Sequence, residues 1–223
     1  VCLLLDSQPL QSDIWKAFVD SGKDSGFQIR LLVASTDPAR HNCLPAEFKA
    51  PLDISALASR GLGAGPARLE VSLSLLRIAL QTPSAMMNVT HIALVSGDAV
   101  PVASGADIAR QLKINESWVP FARSAAFHVR RVEGTLWSGL EWADHIDNNW
   151  IDVQFLRRVE RFGYVFCKHH VQLFFEADKA VDRPLSGLWA GMKTYHRDDG
   201  INTYFPTLLA LLGYTDSAPE GTP

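Results

Sequence analysis

Between Cys2 and Ala34 the chain passes from a short apolar run to helical spacing and back to an apolar run, and this alternation restricts its fold more than any other stretch. Cys2 to Leu5 reads as a strand. Ser12 to Ser21 reads as a helix, with Ser12 as N-cap and Ile14, Ala17 and Phe18 on one face, and Phe27 to Ala34 as a second strand. Strands joined this way pair in parallel, because parallel neighbours need a crossover and the helix supplies it. The second strand runs into Ser35-Thr36-Asp37-Pro38, a turn at its carboxyl edge. That sets Asp37 on the side where open α/β sheets bind ligands.

The stretch His91 to Val102, HIALVSGDAVPV, repeats the pattern more sharply: an apolar strand halts at Ser96-Gly97-Asp98. A buried strand that delivers a small acidic turn puts Asp98 within reach of a substrate or metal ion, although Gly and Asp are also ordinary turn residues. Before it, residues 39 to 66 show no sustained period and suggest a long loop with one helical turn near Ile54 to Ser59. An amphipathic helix follows from Ala67 to Leu80, with Leu69, Leu73, Leu76 and Leu80 along one face. Further on come a helix over Gly105 to Leu112 with Ile108 and Leu112 inward, and a short strand at Trp118 to Phe121. Val153 to Phe162 has helical spacing, Tyr164 to Lys168 reads as a strand, and His169 to Ala177 and Ile201 to Leu212 as helices. Phe127 to Trp150 has no clear period. The expectation is one domain over residues 1 to 214 and a frayed polar tail over 215 to 223. The opening at Val1 rather than a methionine suggests a piece of a longer protein with room for further domains.

A chain of 223 residues, 47% hydrophobic, suffices for one full core, and a net charge of -3 argues against a dedicated nucleic-acid binder. No run approaches the length of a membrane-spanning helix. Three scattered cysteines suggest neither a disulfide framework nor a cysteine zinc site, and leave the compartment unread. Asn88-Val89-Thr90 and Asn115-Glu116-Ser117 fit the N-glycosylation pattern, which chance also produces.

Several motifs fail on context. Gly61-Leu62-Gly63-Ala64-Gly65 follows no strand and meets Pro66 where a dinucleotide fingerprint needs its third glycine. Ser96 lacks the glycine two positions earlier that a hydrolase elbow requires. His169 and His170 diverge by roughly 100° on a helix, so they do not grip one metal together, and one is expected buried and the other solvated. Lys193, His196 and Arg197 lie in a basic run that suits phosphate oxygens or a solvated loop. Asp198-Asp199 precede the last helix, where a carboxylate serves equally as N-cap or general base.

Three segments together resemble the core-2/I-branching β-1,6-N-acetylglucosaminyltransferases, glycosyltransferase family 14, and their plant relatives. They are the helix from Ala67 followed by HIALVSGDAVP, the segment Val165 to Val171 (VFCKHHV), and Tyr204 to Leu209 (YFPTLL). The resemblance implies a single GT-A-like nucleotide-diphospho-sugar transferase domain, an α/β fold with a mixed, mostly parallel sheet flanked by helices. It implies inverting transfer of a sugar from a nucleotide-sugar, UDP-sugar first, to a glycan hydroxyl, in the Golgi lumen of a eukaryote or the cytoplasm of a microbe or virus. Donor contacts would fall on Ser35, Asp37, Arg68, Ser96, Gly97 and Asp98, with Lys193, His196 and Arg197 on the pyrophosphate. Asp98 would hold Mn²⁺ or Mg²⁺ if a metal is used, although the family itself is metal-independent. The family's glutamate base falls on Asn202, an amide that takes no proton at neutral pH, so the base is assigned to Asp199, with Asp198 second. The competing reading is a catalytically inactive nucleotide-sugar or glycan-binding domain.

Overall fold

The computed structural model describes residues 1–5, 9–59, 64–81, 89–113, 115–119, 163–178 and 200–211. Among them four strands form one sheet: β1 (Cys2–Leu5), β2 (Leu32–Ser35), β3 (His91–Ser96) and β4 (Gly163–Cys167), in the order β2-β1-β3-β4. β1 pairs in parallel with β2, Cys2 opposite Leu32, and with β3, Cys2 opposite Leu94, whereas β4 runs antiparallel to β3, with Cys167 opposite His91. The helices are α1 (Ser12–Asp24), α2 (Pro38–Asn42), α3 (Ile54–Ala58), α4 (Ala64–Gln81), α5 (Gly105–Gln111), α6 (Lys168–Asp178) and α7 (Gly200–Leu211).

Side-chain alternation along the strands divides the core in two. Cys2, Leu4, Leu32, Ala34, Ile92, Leu94, Tyr164 and Phe166 pack with residues of α4, α6 and α7. Leu3, Leu5 and Val33 pack on the other face with Trp15 and Phe18 of α1, joined by the half-buried Ile108 of α5. The result is a mixed α/β fold with helices on both faces of the sheet. Among the described residues no helix is long and apolar enough to cross a membrane.

Most expected elements are present, with informative shifts. Ser12 is the first helical residue, not the cap; Gln11 takes the N-cap position and makes no side-chain cap bond. The inward face of α1 is Trp15, Phe18 and Gly22, while Ile14 stands 43% exposed and Ala17 is exposed. Both faces have helical spacing, and the one carrying the indole removes more apolar area from water. β2 begins at Leu32 rather than Phe27 because the Phe27 N–H is spent closing α1: it donates to the Gly22 carbonyl at 2.9 Å. Gly26, at φ +80°, donates to Lys23 at 3.0 Å, which completes a Schellman turn.

The region expected as loop holds α3, as anticipated, and also α2, whose start had been read as a turn. Asp37 caps α2 and Pro38 fills its first position, so Asp-Pro here opens a helix. α4 begins at Ala64, three residues earlier than expected, and its most buried positions are Leu69, Val71, Ser72, Leu75 and Leu76, with Leu73 and Leu80 only half-buried. That wide stripe fits a helix laid across three strands. Of the strand expected at Trp118 to Phe121, Trp118 forms an isolated antiparallel bridge to Val165 and residues 120 and 121 lie outside the described residues, as does Val153 to Phe162.

α5 docks on α1 through a close backbone approach. The Ser21 hydroxyl donates to the Phe18 carbonyl at 2.8 Å and accepts the Gly105 N–H at 2.9 Å. A Cβ on Gly105 would collide with the Phe18 carbonyl oxygen. Gly105→Ala is therefore expected to push α5 off α1 and to cost about 1–3 kcal/mol, read as a lower urea midpoint at unchanged m-value. An unchanged midpoint would contradict this packing.

Candidate functional site

Strand order reverses at β1, whose neighbours β2 and β3 are reached in opposite directions, and in such sheets ligands bind in the crevice beyond the carboxyl ends of the strands. β2 ends there at Ser35 and β3 at Ser96, opposite Leu5 and Leu4 respectively. Two strand spacings separate them, ~10 Å. After β3 the chain keeps hugging β1: the Gly97 N–H donates to the Leu4 carbonyl at 2.7 Å, and the Ala99 N–H donates to Ser96 at 3.1 Å, closing a turn. A Cβ at Gly97 would run into the Leu5 side chain and stand 2.9 Å from its Cα, so only glycine permits this approach. Asp98 is consequently thrust out at the turn, exposed to solvent.

The β2 side is differently built. Ser35 is fully buried and its hydroxyl accepts the Asp37 N–H at 3.1 Å. Asp37 accepts the Ala39 N–H at 2.9 Å through Oδ1 and pairs with Arg40 at 3.5 Å through Oδ2. The expected ligand group is thus also a helix cap, and Ser35 orients it from below. These two roles for Asp37 use different lone pairs of the same carboxylate.

α4 carries Arg68 toward the same edge. The Cys2 thiol, at the amino end of β1, donates to the Leu75 carbonyl at 3.9 Å. Arg68 lies seven residues earlier, ~10 Å along the helix axis. Because α4 returns antiparallel to the strands, that displacement leads to their carboxyl ends, where Arg68 is half-buried.

The start of α7 also arrives there. The Tyr164 hydroxyl donates to the Ile201 carbonyl at 2.8 Å, and Tyr164 sits opposite Leu94, in the carboxyl-end half of β3. Burial pushes the Tyr164 phenol well above its ordinary value, so it remains a donor across the physiological range. Asn202, next along α7, has a buried Oδ1 with no hydrogen-bond partner among the described residues. Asp198, Asp199, Lys193, His196 and Arg197 lie outside the described residues.

The structure therefore gathers Ser35, Asp37, Arg68, Ser96, Gly97 and Asp98 along one edge of the sheet. Among the described residues no three His, Cys, Asp or Glu side chains gather closely enough to hold a metal ion by themselves. Asp98 offers one carboxylate, suited to an ion that also takes donor phosphates as ligands. No family model matches the chain, and no curated protein or solved structure matches it at a significant level.

Sequence reasoning missed His41, near the end of the short helix α2 and only 2% exposed. Neither ring nitrogen makes a hydrogen bond of good geometry, although backbone groups of Ala50 and Leu52 lie near enough to favour protonation. Burial is the larger influence, aided by the Lys49 charge, and holds the imidazole below its usual range. A lone histidine in an Ala-Arg-His-Asn run carries no sequence signal for burial.

Two predictions follow from this geometry. Asparagine caps as well as aspartate, so Asp37→Asn should leave stability unchanged, whereas Asp37→Ala should lose about 0.5–2 kcal/mol; equal urea midpoints for the two variants would refute the capping role. His41 and His170 both have lowered values in the folded chain. The unfolded chain then binds more protons, so their contribution to stability is complete above pH ~6.5 and is lost as pH falls toward the folded values. Thermal melts should drop through that window, and His41→Phe should flatten the part due to His41.

Proposed function

We propose that the chain is a glycosyltransferase domain that binds a nucleotide-sugar across the carboxyl edge of β1 and β3 and transfers the sugar with inversion to a glycan hydroxyl. The observation that carries the reading is the outward-facing Gly97-Asp98 turn at the carboxyl end of β3, whose antiparallel neighbour β4 fixes, through Tyr164, the start of α7, the helix that Asp198-Asp199 precede in sequence. A phosphate-binding edge opposite a carboxylate-bearing helix start is what displacement at an anomeric carbon requires. UDP-sugar is the first donor class by resemblance, and the mixed sheet with helices on both faces is compatible with a GT-A-like domain.

In this mechanism Asp199, or Asp198 in its place, takes the proton of the acceptor hydroxyl, whose oxygen attacks the anomeric carbon from the face opposite the departing diphosphate. Lys193, His196 and Arg197 neutralise the charge that develops on the leaving group, with Arg68 adding to the field along the edge. Asp37 takes the nucleoside through the carboxylate lone pairs left over from capping, and Ser35, buried beneath it, holds it in place. Mn²⁺ or Mg²⁺, if recruited, would be held by Asp98 and would supply charge neutralisation at the same oxygens.

A second reading, a binding domain without turnover, is favoured by Asn202, because an amide stands where the resembling family has its base. Calorimetric titration with UDP and GDP, each with Mn²⁺ and with chelator, tests both. Selective UDP binding, with donor hydrolysis or transfer that Asp199→Asn abolishes at unchanged nucleotide affinity, is the expected result. Tight binding without turnover on any donor selects the second reading, and no nucleotide binding overturns both. Asp98→Ala should remove any tightening by Mn²⁺; equal affinity in Mn²⁺ and chelator excludes a metal role for Asp98.

A further inference from the structure

At the other end of the sheet, where β4 finishes beside the start of β3, the Ser117 hydroxyl lies 2.7 Å from His170 Nδ1. The same oxygen accepts the Cys167 N–H at 2.9 Å. We propose that Ser117 and His170 form a nucleophile and general-base pair that acts on carboxylic esters, separate from the nucleotide edge.

With one Ser117 lone pair occupied by the Cys167 N–H, the hydroxyl still has a proton to give and a second lone pair; in the proposed pair Nδ1 accepts that proton and Nε2 carries the ring hydrogen. This is the tautomer a base needs. His170 is 7% exposed, and burial together with the neighbouring His169 keeps its imidazole neutral below the usual range. His169 is the exposed member of the pair, as expected from the sequence. Ser117 is only partly buried. The N–H donated by Cys167 and the positive end of α6 both favour negative charge on that oxygen.

A purely structural tie accounts for this arrangement less well. Trp118 and Val165 already exchange two backbone hydrogen bonds, at 2.6 and 2.9 Å, and Lys168 N–H donates to the Thr90 carbonyl at 2.8 Å. The segment carrying Ser117 is thus fastened without the histidine. Nucleophile, base and their spacing match what covalent acyl transfer demands. In the reaction, Ser117 Oγ bonds to the ester carbonyl carbon as its proton passes to His170 Nδ1. The carbon–oxygen bond to the alcohol breaks and the alkoxide takes that proton. Water then attacks the acyl-serine, again through His170, and releases acid and free Ser117.

The test uses the full chain with a fluorophosphonate probe and p-nitrophenyl acetate. One equivalent of probe should attach at Ser117, located by peptide mass, with loss of fluoride. Ser117→Ala should abolish labelling and ester turnover. His170→Asn keeps an acceptor oxygen for the hydroxyl but takes no proton, so it should slow both by about 100-fold or more. An unlabelled wild-type chain, a label elsewhere, or His170→Asn reacting at the wild-type rate overturns the proposal. Should either variant fail to fold, the position of the wild-type label decides alone.

Discussion

Four residues, Cys2 to Leu5, carry the rest of the structure because β1 is buried on both faces and paired on both edges. None of the four is more than 3% exposed. Cys2 and Leu4 supply one core and Leu3 and Leu5 the other, so neither helical layer has an apolar floor without this strand. The cost of ordering so short a segment is offset only because every side chain finds a fully apolar environment and each backbone edge has a parallel partner. The same crowding dictates the functional edge. Leu5 comes so close to the following turn of β3 that residue 97 has no room for a side chain, and the acidic residue after it is driven outward.

The sequence made this parallel core legible because strands buried on both faces read as continuous apolar runs, and CLLL and HIALV do so. Less legible was everything decided by backbone hydrogen bonds. Phe27 has the composition of a strand start but its N–H belongs to the helix before it. Asp37-Pro38 has the composition of a turn but caps α2. In α1, two helical faces one residue apart were equally periodic, and only the size of Trp15 against Ile14 decides between them. For the site, Ser96-Gly97-Asp98 was found from its strand context. The requirement for glycine at 97, and the Ser117–His170 contact across 53 residues of sequence, exist only in three dimensions.

The antiparallel β4 explains how one sheet presents chemistry at both ends. Its amino end lies against the carboxyl end of β3, and there Tyr164 fixes the start of α7. Its carboxyl end lies against His91, and there it passes straight into α6 while the Cys167 N–H meets Ser117. A parallel fourth strand would have put its own carboxyl end at the crevice and left the opposite end as a run of incoming connections. Reversal of a single edge strand therefore separates the candidate site from the Ser117–His170 cluster by the length of the sheet.

Asn202 bears most directly on which chemistry the crevice supports. Pro206, four residues on within α7, has no N–H to give the Asn202 carbonyl, and the buried Asn202 Oδ1 is likewise without a partner among the described residues. A buried unpaired acceptor such as this Oδ1 costs about 1–3 kcal/mol. A position shaped by stability alone would favour an apolar side chain. An amide takes no proton at neutral pH, so on the proposed reading proton removal falls to a carboxylate other than residue 202. On that reading binding and turnover are separable properties of this edge, the first resting on Asp37, Arg68 and Asp98 at the strand ends and the second on Asp199.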